Sequence, residues 1–186
     1  INDWKDSLLI GSGKWNLSTA KKNNGNNSLF CSNASTQTDR TIMKTFAQVD
    51  IGSHLMFYHL YNTETDWDGG VIEILKNGIW TDLGPYMIEN GYNKTISTNP
   101  NSSISNRKAF SGKTNSFIRT IIDLSNFTGR NVKLRFRFGS DAAQGGEGWY
   151  IDDISLVNNL TIVSNKAFIS NAQGSSAFGM ASTLVL

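Results

Sequence analysis

An all-β chain folded as a two-sheet antiparallel β-sandwich is what three observations predict. Short runs of alternating apolar and polar residues recur along the whole sequence, turn formers separate them, and no stretch shows sustained helical periodicity with caps. The third observation is the long polar connection 89–115, which a simple meander would not need. It suits a jelly roll, whose connections cross between sheets.

The strand segments follow in order. Strand signals fall at Ser7 to Ile10, Thr41 to Val49, His54 to Tyr61 and Val71 to Leu75, with turn formers such as Asn23 to Asn27 between them. Asn77-Gly78, between VIEILK and IWTDL, is the best short-range hairpin signal, because both central residues of the favoured turn need positive φ. Ser116 to Leu124 then precedes the turn at Thr128-Gly129. In Val132 to Phe138, Val132, Leu134, Phe136 and Phe138 point one way while Lys133, Arg135 and Arg137 point the other, so Lys133, Arg135 and Arg137 read as a solvent face. In Trp149 to Val157 the same alternation sets Tyr150, Asp152, Ile154 and Leu156 on one face. If that is the core face, Asp152 is an inward carboxylate, which must be paired, hydrogen-bonded or metal-bound.

Composition narrows the function classes. Of 186 residues, 39% are hydrophobic and 17% charged, and the net charge of +2 offers no basic footprint for nucleic acid. Asn, Ser, Thr and Gly fill the polar surface, as turn-rich extracellular domains do. Cys31 is the single cysteine, so no intrachain disulfide forms, and it reads as a small buried hydrophobe. No apolar run is long enough for membrane insertion. The chain opens on Ile1 and is read as a piece of a longer precursor. Sequons at Asn16, Asn26, Asn33, Asn93, Asn101, Asn126 and Asn159 mark surface turns rather than glycans.

The segment GSD, a Gly-rich loop and GWYIDDI, preceded by DWDGGVIEI, NGIWTDLG, GYN, NPNSSISNRKAFSG and IDLSNFTGRNVKLRFRFGSD in that order, carries a resemblance. It resembles the C-terminal jelly-roll module of secreted bacterial metallopeptidases of the fungalysin and immune-inhibitor types. It is more distantly similar to meprin-type (MAM) adhesion domains and to gingipain cleaved-adhesin domains. The tail NKAFISNAQGSSAFGMASTLVL resembles the end of bacterial fungalysin-type peptidases. The resemblance implies a galactose-binding-like or MAM-like jelly roll over 1–157, with 158–186 as an extension packed on the same domain. It also implies a structural Ca2+ between first and last strands, held by Asp3 and Asp152, although Asn2 stands where the family commonly has a further acid.

Other candidates come from the residues themselves. Asp66-Trp67-Asp68-Gly69-Gly70 gathers oxygen ligands beside glycine, which a hard cation requires, and is also an ordinary acidic turn. Trp67, Trp80, Tyr86, Tyr92 and Trp149 are candidates for an aromatic platform, with Trp80 and Trp149 better suited to the core. Trp67, set between two acids in a loop, is the best exposed anchor, with Asp66, Asp68 and Glu147 as polar neighbours. His54 and His59 lie five apart in a strand and face opposite ways, without the adjacent Glu of a zinc peptidase helix. No zinc site and no catalytic motif is therefore expected in this chain. The expectation is a non-catalytic extracellular accessory module of a secreted bacterial metallopeptidase. It would bind protein or polysaccharide surfaces, or pack on the parent peptidase domain. The alternative is a carbohydrate-binding or adhesion module of another secreted protein.

Overall fold

The structure is a computed structural model that describes residues 3–158 and 160. Among these residues thirteen strands form: β1 (Lys5–Ile10), β2 (Asn16–Ser18), β3 (Ser28–Ser32), β4 (Thr38–Val49), β5 (Ser53–Asn62), β6 (Gly69–Lys76), β7 (Ile79–Asp82), β8 (Met87–Glu89), β9 (Lys94–Thr95), β10 (Lys108–Ala109), β11 (Ile118–Asp123), β12 (Gly129–Ser140) and β13 (Gly148–Asn158). One sheet has the order β1-β4-β12-β6-β7 and the other β2-β3-β13-β5-β11-β8, with β9 and β10 as a separate ribbon. All named pairings are antiparallel. The expected two-sheet sandwich is present. Apart from Asn158 and Leu160, the proposed extension 158–186 lies outside the described residues, as does Asn159.

Alternation places the core. Val132, Leu134, Phe136 and Phe138 of β12 face Leu55 and Phe57 of β5 and Trp149 and Ile151 of β13 in one buried cluster. Trp149 packs edge-on against Phe136 at 5.8 Å between ring centres. The Asn77-Gly78 turn closes the β6–β7 hairpin with φ of 52° and 79°, as its residue types require.

Two expectations of phase need correction. In β13 the pairing register shifts between Asp152 and Ser155, and Asp153 takes φ of 48°. A bulge resets alternation, because an extra residue on one strand turns the following side chains to the other face. Trp149 and Ile151 therefore point inward before it, Ile154 and Leu156 after it, and Asp152 stands on the outer face instead of the core face.

The second correction concerns the basic stripe. Lys133 is exposed, but Arg135 is only 9% exposed and Arg137 is half-buried. Segment 89–115 folds over this face, seating Ile96, Ile104 and Ala109 against Val71 in a second small core. Beside it, Glu73 of β6 accepts from Arg135 at 2.5 Å and from Arg107 at 2.7 Å, while Arg137 grips Asp39 through two bonds of 2.8 and 2.7 Å. Although burial opposes it, these guanidinium groups hold the Glu73 carboxyl below its ordinary range. Trp80 is not a core residue either: it lies on this outer face, 4.1 Å beneath the Arg135 guanidinium.

Candidate functional site

The site grows out of strand register. Gly69 at the start of β6 pairs with Gly139 near the end of β12, so the loop entering one and the loop leaving the other emerge at the same end of the sandwich. Asp68 and Asp141 are consequently neighbours, and Asn33 reaches them from the end of β3. In the turn before β6, Asp68 N–H donates to the Glu64 carbonyl at 3.1 Å, which brings the Glu64 side chain back over Asp68.

Glu64, Asp68 and Asp141 converge here, with one carboxylate oxygen from each within 4.8 Å of the others. Asp68 is 0% exposed and Asp141 4%. Asn33 Nδ2 donates to Asp68 Oδ2 at 2.7 Å, and Asp141 N–H to Asp68 Oδ1 at 2.9 Å. Asn99 Nδ2 and Ala143 N–H each donate to Asp141 at 2.8 Å, and Gln144 N–H to Glu64 at 3.2 Å. These neutral donors cancel no charge. Among the described residues no Lys or Arg forms an ion pair with any of the three acids. Burial, with the two neighbouring acids, pushes the Asp68 carboxyl up to about 6 despite the donors from Asn33 and Asp141.

Such a donor set fits a hard cation. Calcium takes six to eight oxygens, and each carboxylate oxygen keeps a lone pair beyond the hydrogen bond it accepts. The glycines beside Asp68 have another cause: a side chain at Gly70 would collide with the Trp149 ring, and one at Gly69 would lie 2.5 Å from the Phe110 carbonyl.

The residues proposed from sequence distribute as follows. Of Asp3, Asp152, Asp66 and Asp68, only Asp68 joins the cluster. Asp3 lies 3.6 Å from Lys44. Asp152 accepts the backbone N–H groups of Asn23 and Asn24 at 2.7 and 3.2 Å, beside a hollow of about 190 Å³ bordered by Trp4, Leu17 and Asn27. Among the described residues, the group of three or more acidic, His or Cys side chains close enough to share an ion is Glu64, Asp68 and Asp141, and it includes neither Asp3 nor Asp152. Asp66 lies 3.5 Å from exposed Lys94. Glu147 is bound by Lys21 and by the Tyr150 hydroxyl at 3.0 Å, and against the effect of burial these hold its carboxyl below the ordinary range. Trp67 is 38% exposed at the tip of the loop that carries Asp68. The other aromatics make no platform with it: Trp149 is buried, Tyr86 packs on Phe127, and the Tyr92 hydroxyl accepts the Ile72 N–H at 2.7 Å.

Glu64, Asp141, Asn33 and Asn99 went unforeseen. Glu64 lies only two residues before Asp66, and Asp141 ends the GSD motif, but their union depends on β6–β12 pairing that local spacing does not disclose.

His54 and His59 do face opposite sides: His59 is 0% exposed among Phe57, Phe110 and Trp149, while His54 pairs outward beside Asp123. Two surface hollows, about 230 and 190 Å³, are smaller than the roughly 300–1,000 Å³ usual for small-molecule pockets.

Comparison with known proteins agrees with this architecture. The family described as "Immune inhibitor A-like, MAM domain" matches residues 13–183. Bacillopeptidase F of Bacillus subtilis is 30% identical over 139 residues, which is 72% of this chain and 8% of the relative. Pre-pro-metalloprotease PrtV of Vibrio cholerae is 34% identical over 70 residues, covering 38% of this chain and 7% of the relative. The chain thus spans less than a tenth of the length of these relatives. Among solved structures, the K2 cleaved adhesin domain of Lys-gingipain superposes with a TM-score of 0.51 at 15% identity, over 83% of this chain and 88% of that one. A carbohydrate-binding module in complex with β-1,4-galactotriose gives 0.50 at 10% identity, over 83% and 88%. At these identities the likeness is one of fold.

Proposed function

Because the chain belongs to the immune inhibitor A-like MAM domain family, an accessory rather than a catalytic module, we propose that it holds a secreted bacterial peptidase on an extracellular polysaccharide. The binding end is the loop pair 64–68 and 141–147, set by a calcium ion and presenting Trp67. One observation carries this reading: three carboxylates, two of them buried, converge without a cationic partner among the described residues, and the exposed Trp67 is the residue next to Asp68 in the same loop. A rigid sandwich holding binding groups on its loops is a common arrangement. An indole supplies a flat apolar face on which the C–H face of a sugar can stack. Glu64, Asp68 and Asp141 would hold the ion, which supplies fixed positive charge and nothing reactive. Names among the relatives support the peptidase parent, and the galactotriose-bound neighbour supports the polysaccharide.

The test is retention of the chain on insoluble polysaccharides with calcium or with chelator, for wild type and Trp67→Ala. Retention that needs both calcium and Trp67 supports the proposal; retention indifferent to both removes it.

A second reading has its own observation. Leu8, Leu9 and Ile10 of β1 are 45%, 51% and 41% exposed, and Leu17 of β2 is 50% exposed. Among the described residues both strands are sheet edges, where unpaired backbone groups and apolar side chains invite a neighbour. A neighbouring domain of the parent peptidase would fit there. Leu9→Lys should then lower the melting temperature of the full-length parent and leave that of the domain alone unchanged.

A further inference from the structure

Three Asn-Gly pairs occur in the chain, at Asn24, Asn77 and Asn90, and the fold treats them differently. Asn-Gly is the pair most open to ring closure, because a glycine lacks the side chain that would crowd attack by its own nitrogen. Asn77 has φ of 52° and sits in the tight turn between paired Lys76 and Ile79. Asn90 has φ of 44°, donates its Nδ2 to the Arg119 carbonyl at 2.8 Å, and accepts the Thr120 hydroxyl on its own carbonyl at 2.9 Å. Closing a ring at either would break a hairpin or these contacts.

Asn24 is held less: it lies in no tight hairpin turn, among the described residues its side-chain nitrogen makes no hydrogen bond, and its tie to a neighbouring strand is its N–H on Asp152 at 3.2 Å. It and Gly25 are exposed, and nothing lies within 4 Å of where a Gly25 side chain would stand; Asn77-Gly78 is as open, so it is the tight hairpin turn that separates those two sites. The Gly25 N–H donates to Asn24 Oδ1 at 2.8 Å, which puts the attacking nitrogen beside the side-chain carbonyl. We propose that Asn24 is a site of spontaneous deamidation, and that its conversion releases loop 21–27 from β13.

The chemistry needs only water. Gly25 nitrogen loses its proton and attacks Asn24 Cγ; a new N–C bond closes a five-membered imide as the side-chain nitrogen leaves as ammonia. Water then opens the imide to aspartate or, by the other C–N bond, to isoaspartate. The product adds a carboxylate next to Asp152 and Asp153, and isoaspartate also inserts a carbon into the backbone. Loop 21–27 is held to β13 by Asn23 and Asn24 N–H groups on Asp152 and by Asn23 Nδ2 on Asp153 at 2.8 Å, so both changes act directly on its attachment.

The test incubates the folded chain and a urea-unfolded sample in mildly alkaline buffer at physiological temperature and maps deamidated peptides by mass spectrometry. In the unfolded sample the three sites should convert at similar rates; in the folded chain Asn24 should convert several times faster than Asn77 and Asn90. Protection of Asn24 equal to theirs would overturn the assignment. Aged wild type should melt below aged Asn24→Gln and be cut faster by trypsin after Lys22. Identical melting and cleavage, once Asn24 has converted, would overturn the claimed release of the loop.

Discussion

Trp149 donates its indole N–H to Nδ1 of His59 at 3.1 Å, across the β13–β5 pair in the middle of the core. That bond makes Nδ1 an acceptor, so the proton of the neutral ring resides on Nε2, which donates to the Thr120 hydroxyl at 3.0 Å; Thr120 in turn donates to the Asn90 carbonyl. A protonated ring could not accept from Trp149. Burial accordingly pushes the His59 imidazole down to about 3.

Acid should therefore loosen this core. With the folded value below the ordinary 6.5, stability from His59 is complete above that value and is lost as pH falls from it towards about 3. Denaturation midpoints against pH should show this slope in wild type and a flatter one in His59→Gln, whose amide can still accept and donate. His59→Leu should cost about 1–3 kcal/mol for each polar group left unpaired.

Asp152 and Asp153 should prove alike in substitution. Asp152 accepts three backbone N–H groups, from Asn23, Asn24 and Asp153, on the outer face, so Asp152→Ala should cost about 1 kcal/mol rather than the 3–5 kcal/mol of an orphaned buried charge. Urea denaturation of both alanine variants checks it.

Glu73 is the costly surface-side acid. Removing it strands Arg135, since Arg107 keeps Asp82 and Arg137 keeps Asp39. Glu73→Ala should lose about 3–5 kcal/mol, whereas Lys133→Ala, on the same face but exposed, should change stability by less than about 0.5 kcal/mol.

Much of the sandwich was legible because local alternation encodes it. The apolar phase of Val132 to Phe138, the Asn77-Gly78 hairpin and the opposed histidines all follow from neighbours within one strand or turn. What escaped depends on tertiary context. The bulge after Asp152 reverses phase without a residue that announces it, and Arg135 is taken up by Glu73 and Trp80, more than fifty residues away in sequence. The acid cluster joins Glu64 to Asp141 only through the pairing of Gly69 with Gly139. Asp68, already singled out beside glycine, was the one member within reach of sequence alone.

Without metal, Asp68 should make the domain more stable in mild acid. Its folded value of about 6 lies above the ordinary 3.8, so the associated stability is complete below 3.8 and is lost as pH rises through about 6. Because His59 gives the opposite slope, the check is the difference between proteins: in chelator, the melting temperature of wild type relative to Asp68→Asn should fall as pH rises over that interval, and excess calcium should abolish that fall.

The most direct measurement is a calcium titration followed by thermal denaturation near neutral pH, for wild type, Asp68→Asn and the milder Glu64→Gln. A ligand bound only by the folded state stabilises it by about 2.7 kcal/mol at a hundredfold excess over its dissociation constant. Wild type should gain melting temperature with calcium and lose it with chelator, Glu64→Gln should need more calcium for the same gain, and Asp68→Asn should not respond. A wild-type melting temperature indifferent to calcium, or an equal gain in all three proteins, would contradict a cation site at Glu64, Asp68 and Asp141.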